Sequence, residues 1–181
     1  MAFQLFASSS PDLAAEREAL GQAVAELPTS VGFEVRHTAP SEDTAINETL
    51  AFIETCDLYI LVLGADYAAP MGLEWQRAQD AAKPTLAFRK RELHSPSAEH
   101  LLREPGIEWT LFGTPEQLKT QATQALAQML IDRGESFGLL VDDIDALLTV
   151  LGTSDRTASG QPDRRQGAGH SGVILGREGQ R

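Results

Sequence analysis

The residues best placed to do chemistry are Glu74 and the run Ser8-Ser9-Ser10, each standing just past an apolar stretch of the chain. A fixed carboxylate beside a sugar-linked ligand can stabilise a ribosyl cation, because positive charge develops at the anomeric carbon as a glycosidic bond breaks. Serine hydroxyls next to the free N–H groups of a helix start suit a ribose hydroxyl or a phosphate. Arg17, about one turn further on, offers a cationic fork for the same anion. Tyr67 and Trp75 flank the glutamate and can stack on a base or a nicotinamide ring. Asp12, Asp57 and Gly64 complete the candidate set, with Asp57 either facing the ligand from below or capping a strand turn. Each residue also has a purely structural reading. Ser10 suits a helix cap, Arg17 a solvated helix position, Glu74 a first-turn acid favoured by the helix dipole, and the two aromatics a core or rim.

The elements that must position these groups follow from pattern. Asp57 to Gly64 has no clean alternation and reads as a strand buried on both faces, as central strands of parallel sheets are. Phe3 to Ala7 is a strand that hands over at Ser10-Pro11 to a helix carrying Leu13, Leu20, Val24 and Leu27. Phe33 to Thr38 is the second strand, and Pro40-Ser41-Glu42-Asp43 opens a helix with Ile46, Leu50 and Ile53 on one face. Leu73 to Ala82 is the next helix. Thr85 to Phe88 and Glu108 to Phe112 are the fourth and fifth strands, the fourth running into Arg89-Lys90-Arg91. Ser95-Pro96 starts a short helix, Thr114-Pro115-Glu116 caps a longer one, and Asp142 to Leu151 is the last. Strands alternating with helices predict an α/β, flavodoxin-like three-layer sandwich with a five-stranded parallel sheet in the order 2-1-3-4-5. In that order strands one and three diverge at their C-terminal ends, so Ser8 to Asp12 and Gly64 to Glu74 should meet in one crevice.

Composition bounds the rest. The 181 residues carry a net charge of -11, which opposes attraction to nucleic acid or to an anionic membrane. No apolar run approaches a membrane span and the N-terminus lacks a basic secretory start, so a cytoplasmic protein is expected. The single cysteine, Cys56, reads as an inert buried thiol. One domain is expected over residues 1–152, followed by a disordered tail over 153–181 with six glycines and five arginines. Gly167-Ala168-Gly169-His170-Ser171-Gly172 matches G-x-G-x-x-G but lacks the strand before it and the helix after it, so it is rejected as a dinucleotide fingerprint. His37, His94, His100 and His170 show no metal-ligand spacing, and neither a metal nor a resident cofactor is expected.

Two blocks carry a family resemblance. The first is Phe6-Ala7-Ser8-Ser9-Ser10-Pro11-Asp12-Leu13 with Glu16-Arg17. The second runs from Cys56-Asp57 through Leu63-Gly64-Ala65-Asp66-Tyr67 to Glu74 and Ala78, closing with Lys83-Pro84. Together they resemble a TIR-related bacterial family, largely described as a domain of unknown function, found at the N-terminus of STAND ATPases and other defence or signalling proteins. The second block is also similar to TIR NAD hydrolases and nucleoside deoxyribosyltransferases. The resemblance implies a TIR-like fold, Glu74 as the catalytic carboxylate, NAD or another nucleotide as substrate, and a homo-oligomer or a fused effector or ATPase domain as partner. It equally allows a non-catalytic module that self-associates, docks on a partner or senses a nucleotide.

Overall fold

A strand covered on both faces must be apolar on both, and residues 58–63, LYILVL, meet that demand with all six buried. The computed structural model of the protein describes residues 2–10, 12–38 and 43–158. Its strands are β1 (Phe3–Ser9), β2 (Phe33–His37), β3 (Leu58–Leu63), β4 (Thr85–Lys90) and β5 (Trp109–Phe112). They form one sheet in the order β2-β1-β3-β4-β5, with every neighbouring pair parallel. This is the flavodoxin-like order that the sequence pattern predicts. The helices are α1 (Ala14–Ala25), α2 (Asp43–Thr55), α3 (Ala69–Asp80), α4 (Pro96–Leu102), α5 (Pro115–Asp132), the short α6 (Gly134–Phe137) and α7 (Val141–Ala158).

Alternation along the strands divides the core into two layers. Phe3, Leu5 and Ala7 of β1 and Leu58, Ile60 and Val62 of β3 pack with α1, α5 and α7. Phe6 of β1 and Tyr59, Leu61 and Leu63 of β3 pack instead with α2, α3 and α4. Burying each large side chain of this kind contributes about 1.5–3 kcal/mol, and both layers converge on β1 and β3. The two strands that border the crevice are therefore the most firmly held part of the sheet.

Element ends show where local signals were decisive. Ser95 and Thr114 cap α4 and α5, accepting hydrogen bonds from the Ala98 and Gln117 backbone N–H groups. α3 starts at Ala69 rather than Leu73, because Pro70 occupies its first turn and presets the helical φ. α1 starts at Ala14, with Leu13 at the cap position and no side-chain cap bond, so Ser10 does not cap it. Pro11 and the expected helix opening at Pro40-Ser41-Glu42 lie outside the described residues. α6 is too short to leave a periodic signal, and Gly138 closes it in the left-handed conformation at φ 66°.

α7 continues past Leu151 to Ala158. It is tied to the sheet by Leu147, which is fully buried, and by Asp143, which accepts from Ser30 N at 2.8 Å, Ser30 Oγ at 2.7 Å and Leu140 N at 3.0 Å. The Ser30 hydroxyl and the Leu140 N–H hold the Asp143 carboxyl below its ordinary range. The expected tail, including the glycine-rich Gly167 to Gly172 run, falls in residues 159–181 for all but its first few positions and so lies outside the described residues. Cys56 is buried, and burial pushes its thiol up. Among the described residues no helix is long and apolar enough to cross a membrane.

Candidate active site

Successive residues of β1 leave the sheet on opposite sides, and this separates Ser8 from Ser9. Ser8 points with Phe6 toward α3, where its Oγ donates to Glu74 Oε2 at 2.5 Å. Ser9 lies on the α1 side, where Arg17 Nη1 approaches its Oγ at 3.5 Å and donates to the Ser10 carbonyl at 2.8 Å. Arg17 thus braces the turn after β1. All three serines are buried.

Glu74 sits in the second turn of α3, beyond the reach of the terminal N–H groups, so the helix dipole does not account for it as a first-turn acid. It is instead a buried carboxylate, 3% exposed. A second hydroxyl, Thr38 Oγ1, donates to the same Oε2 at 2.9 Å and accepts from Ser9 N at 3.2 Å. Oε1 accepts no hydrogen bond among the described residues. Burial pushes the carboxyl up to about 7, against the pull of Ser8 and Thr38, which favour its ionised form. Glu74 lies at the foot of a narrow cleft between α2 and α3, lined by Ile46, Thr49, Leu50, Pro70 and Leu73. An acid group with one oxygen fixed, one oxygen available and a proton affinity near neutrality can stabilise an adjacent cation or shuttle a proton.

Thr38 is the residue that motif reading missed. It stands alone after β2 and matches no pattern, yet the strand order puts the end of β2 beside β1, and a hydroxyl there faces the Ser8 crevice. Thr38→Val keeps the shape and removes one donor to the carboxylate, so a loss of about 1–3 kcal/mol is expected at pH 8 and less at pH 5. Thr38→Ser should restore most of it. Urea denaturation of the two variants at both pH values checks this.

Other expected site residues fall around the crevice or away from it. Gly64 follows β3 so close to the turn after β1 that an added Cβ would lie 2.9 Å from Leu13 Cδ2 and 3.2 Å from Asp12 Oδ2. The two loops therefore meet, as the strand order requires. Leu13 is fully buried and cannot retreat, so Gly64→Ala should cost about 1–3 kcal/mol, read as a lower melting temperature. Tyr67 is half-buried over Gly72 of α3, and burial, with the Glu104 and Glu74 carboxylates, pushes its phenol up to about 12. Beneath Ser8, Tyr59 is pushed well above its ordinary range by burial and stacks on Phe6 with ring centroids 5.9 Å apart. Burial and the Arg17 charge lower His37, beside Thr38, and its Nδ1 is buried without a partner among the described residues.

Asp57 and Trp75 do not reach the crevice. Asp57 precedes β3, so about 20 Å of strand separates it from Gly64. Its Oδ2 accepts from Gln4 N at 2.8 Å, which is the strand-capping alternative. Trp75 follows Glu74 by one residue and is turned about 100° around the helix. Its ring lies 6.0 Å from Tyr59, and its Nε1 donates to Glu104 at 2.9 Å. At 7% exposure it packs in the core, and the part of it that meets a pocket faces Gln79, Lys83 and Ile107 instead of the crevice.

A parallel sheet in this order with helices on both faces defines a flavodoxin-like domain, and the buried Glu74 carboxylate lies at its topological switch point. The chain belongs to the family described as Domain of unknown function (DUF4062), whose model matches residues 4–133. Comparison with curated proteins gives no match. Among solved structures, PurE of Treponema denticola is similar at 16% identity, covering 87% of this chain and 94% of that one with a TM-score of 0.52. A CMP N-glycosidase of Clostridium botulinum, BcmB, is similar at 15% identity, covering 65% of this chain and 96% of that one with a TM-score of 0.47. At these identities the likeness is one of fold.

Proposed function

We propose that this protein is a nucleotide N-glycosidase, with NAD as its substrate and Glu74 as the catalytic carboxylate. The observation that carries this reading is the carboxylate itself: buried, oriented through Oε2 by Ser8 and Thr38, and with Oε1 accepting no hydrogen bond among the described residues. In the reaction the C1′–N bond of the nicotinamide riboside breaks and its electron pair leaves with the neutral nicotinamide. The ribosyl cation left behind is stabilised by Glu74, water adds to C1′, and the proton released from that water passes to solvent through the carboxylate. The turn Ser8 to Asp12, with Arg17 behind it, takes the ribose hydroxyls. The resemblance to N-terminal domains of STAND proteins supports placing this activity in a cytoplasmic defence or signalling assembly, as a homo-oligomer or beside a fused ATPase or effector domain.

A second reading follows from the cleft at Glu74, which is narrow and lined, apart from Thr49, by apolar side chains, with Leu73 half exposed. In that version the carboxylate is a buried structural acid, and the crevice binds a partner or senses a nucleotide without turnover. Incubation of the purified full chain with NAD, dilute and concentrated, separates the two. Released nicotinamide supports the glycosidase, and its absence at both concentrations leaves the binding module.

A further inference from the structure

β4 runs out into Arg89-Lys90-Arg91, the last of them just past the strand, a basic run in a chain of net charge -11. The structure neutralises only the middle residue: Lys90 Nζ lies 2.9 Å from the buried Glu16 and 3.8 Å from Glu92. Arg89 and Arg91 make no ion pair among the described residues. Arg89 Nε is in addition buried without a hydrogen-bond partner there. A buried guanidinium N–H left without an acceptor is unfavourable unless something else supplies one.

Both arginines line an open surface depression of about 550 Å³ together with Lys90, Leu93, His94, Leu111 and one carboxylate, Glu92, which lies 3.8 Å from Lys90 Nζ. His94 is fixed at the depression by Nδ1, 3.0 Å from the Gly64 carbonyl, which links this wall to the loop after β3. Ser8 pairs with Leu61 and Leu61 with Ala87, so Arg89 lies two residues further along the same face of the sheet. Strand spacing and rise put its Cα about 12 Å from that of Ser8. Planar guanidinium forks are suited to bidentate contact with phosphoryl oxygens.

We propose that this depression binds the diphosphate of the nucleotide whose glycosidic bond reaches Glu74. The substrate class is then a diphosphate-bearing nucleotide, dinucleotides included, and not a free nucleoside. The link to Glu74 rests on the glycosidase reading, whereas the anion site stands on the arginines alone.

The test is calorimetric titration of the full chain with inorganic pyrophosphate at physiological salt, with backbone NMR to locate the shifts. Saturable binding with shifts at Arg89 to His94 is expected, weakened about 10-fold or more in the Arg89→Gln, Arg91→Gln double variant. NAD should compete with pyrophosphate for the site. Arg91→Gln alone changes an exposed side chain and gives a partial loss if the double variant does not fold. Equal pyrophosphate affinity in parent and Arg91→Gln, or shifts confined to Ser8 to Asp12, would overturn the site. Unchanged NAD affinity in the arginine variants would overturn the shared ligand. Pyrophosphate binding at Arg89 and Arg91 in a chain that releases no nicotinamide would uphold the anion site and refute the glycosidase reading alone.

Discussion

Replacing Glu74 by Gln should cut nicotinamide release by at least about 100-fold, the scale on which removal of one preorganised electrostatic group acts. The substitution is close to isosteric, and its amide oxygen can still accept from Ser8 and Thr38. What disappears is the negative charge at Oε1, and with it the stabilisation of the ribosyl cation. Since the ionised form is the one required, and burial lifts the carboxyl to about 7, kcat/KM of the parent should rise with pH and level off above that value. A variant that keeps full turnover, or a parent profile flat from pH 5 to 9, would remove Glu74 from the mechanism.

The second large effect runs the other way, on stability. In the unfolded chain a glutamate releases its proton near the ordinary value of 4.5, whereas folded Glu74 holds its proton to about 7. Below about pH 4.5 both states are protonated and the site costs nothing. As pH rises through that window the unfolded state ionises first, so folding stability falls by about 3 kcal/mol and stays reduced above pH 7. Gln has no such titration. Glu74→Gln should therefore be about 3 kcal/mol more stable than the parent at pH 8, with the gap closing toward pH 4, and urea midpoints across that range measure it. A gap of the same size at pH 4 and pH 8 would assign it to packing instead. Lower activity together with higher stability is the pattern expected of a carboxylate retained for its chemistry.

The fold was legible because its signals are local and repeated. An uninterrupted apolar β3, turn residues before each helix, and the alternation of strands with helices are enough to specify five parallel strands. The pairing of Ser8 with Glu74 followed from strand order, since both stand at the C-terminal edge of the central strands. Its electrostatic character did not. Missing the Pro70 signal places Glu74 in a first turn, ionised by the helix dipole, whereas one earlier turn of helix leaves it in the second turn, where desolvation dominates. Thr38 was invisible because a lone threonine after a strand has no motif, and its role exists only once β2 is laid against β1. Asp57 and Trp75 were drawn in by closeness in sequence to β3 and Glu74. The length of a strand removes the first from the site, and the rotation of a helix removes the second.

The way α7 is anchored bears on how such a domain can be passed between proteins. The segment matched by the family model stops at residue 133, before α7 begins, yet Leu147 and Asp143 bind that helix into the core and to the approach of β2. Phe137 of α6, also past residue 133, packs on Phe3 with ring centroids 4.8 Å apart. A recombination joint placed at residue 133 would strip the cover that α7 and Phe137 give to α5 and to Phe3. The inheritable unit is accordingly longer than the recognisable one, and a working fusion must carry its own closing helix.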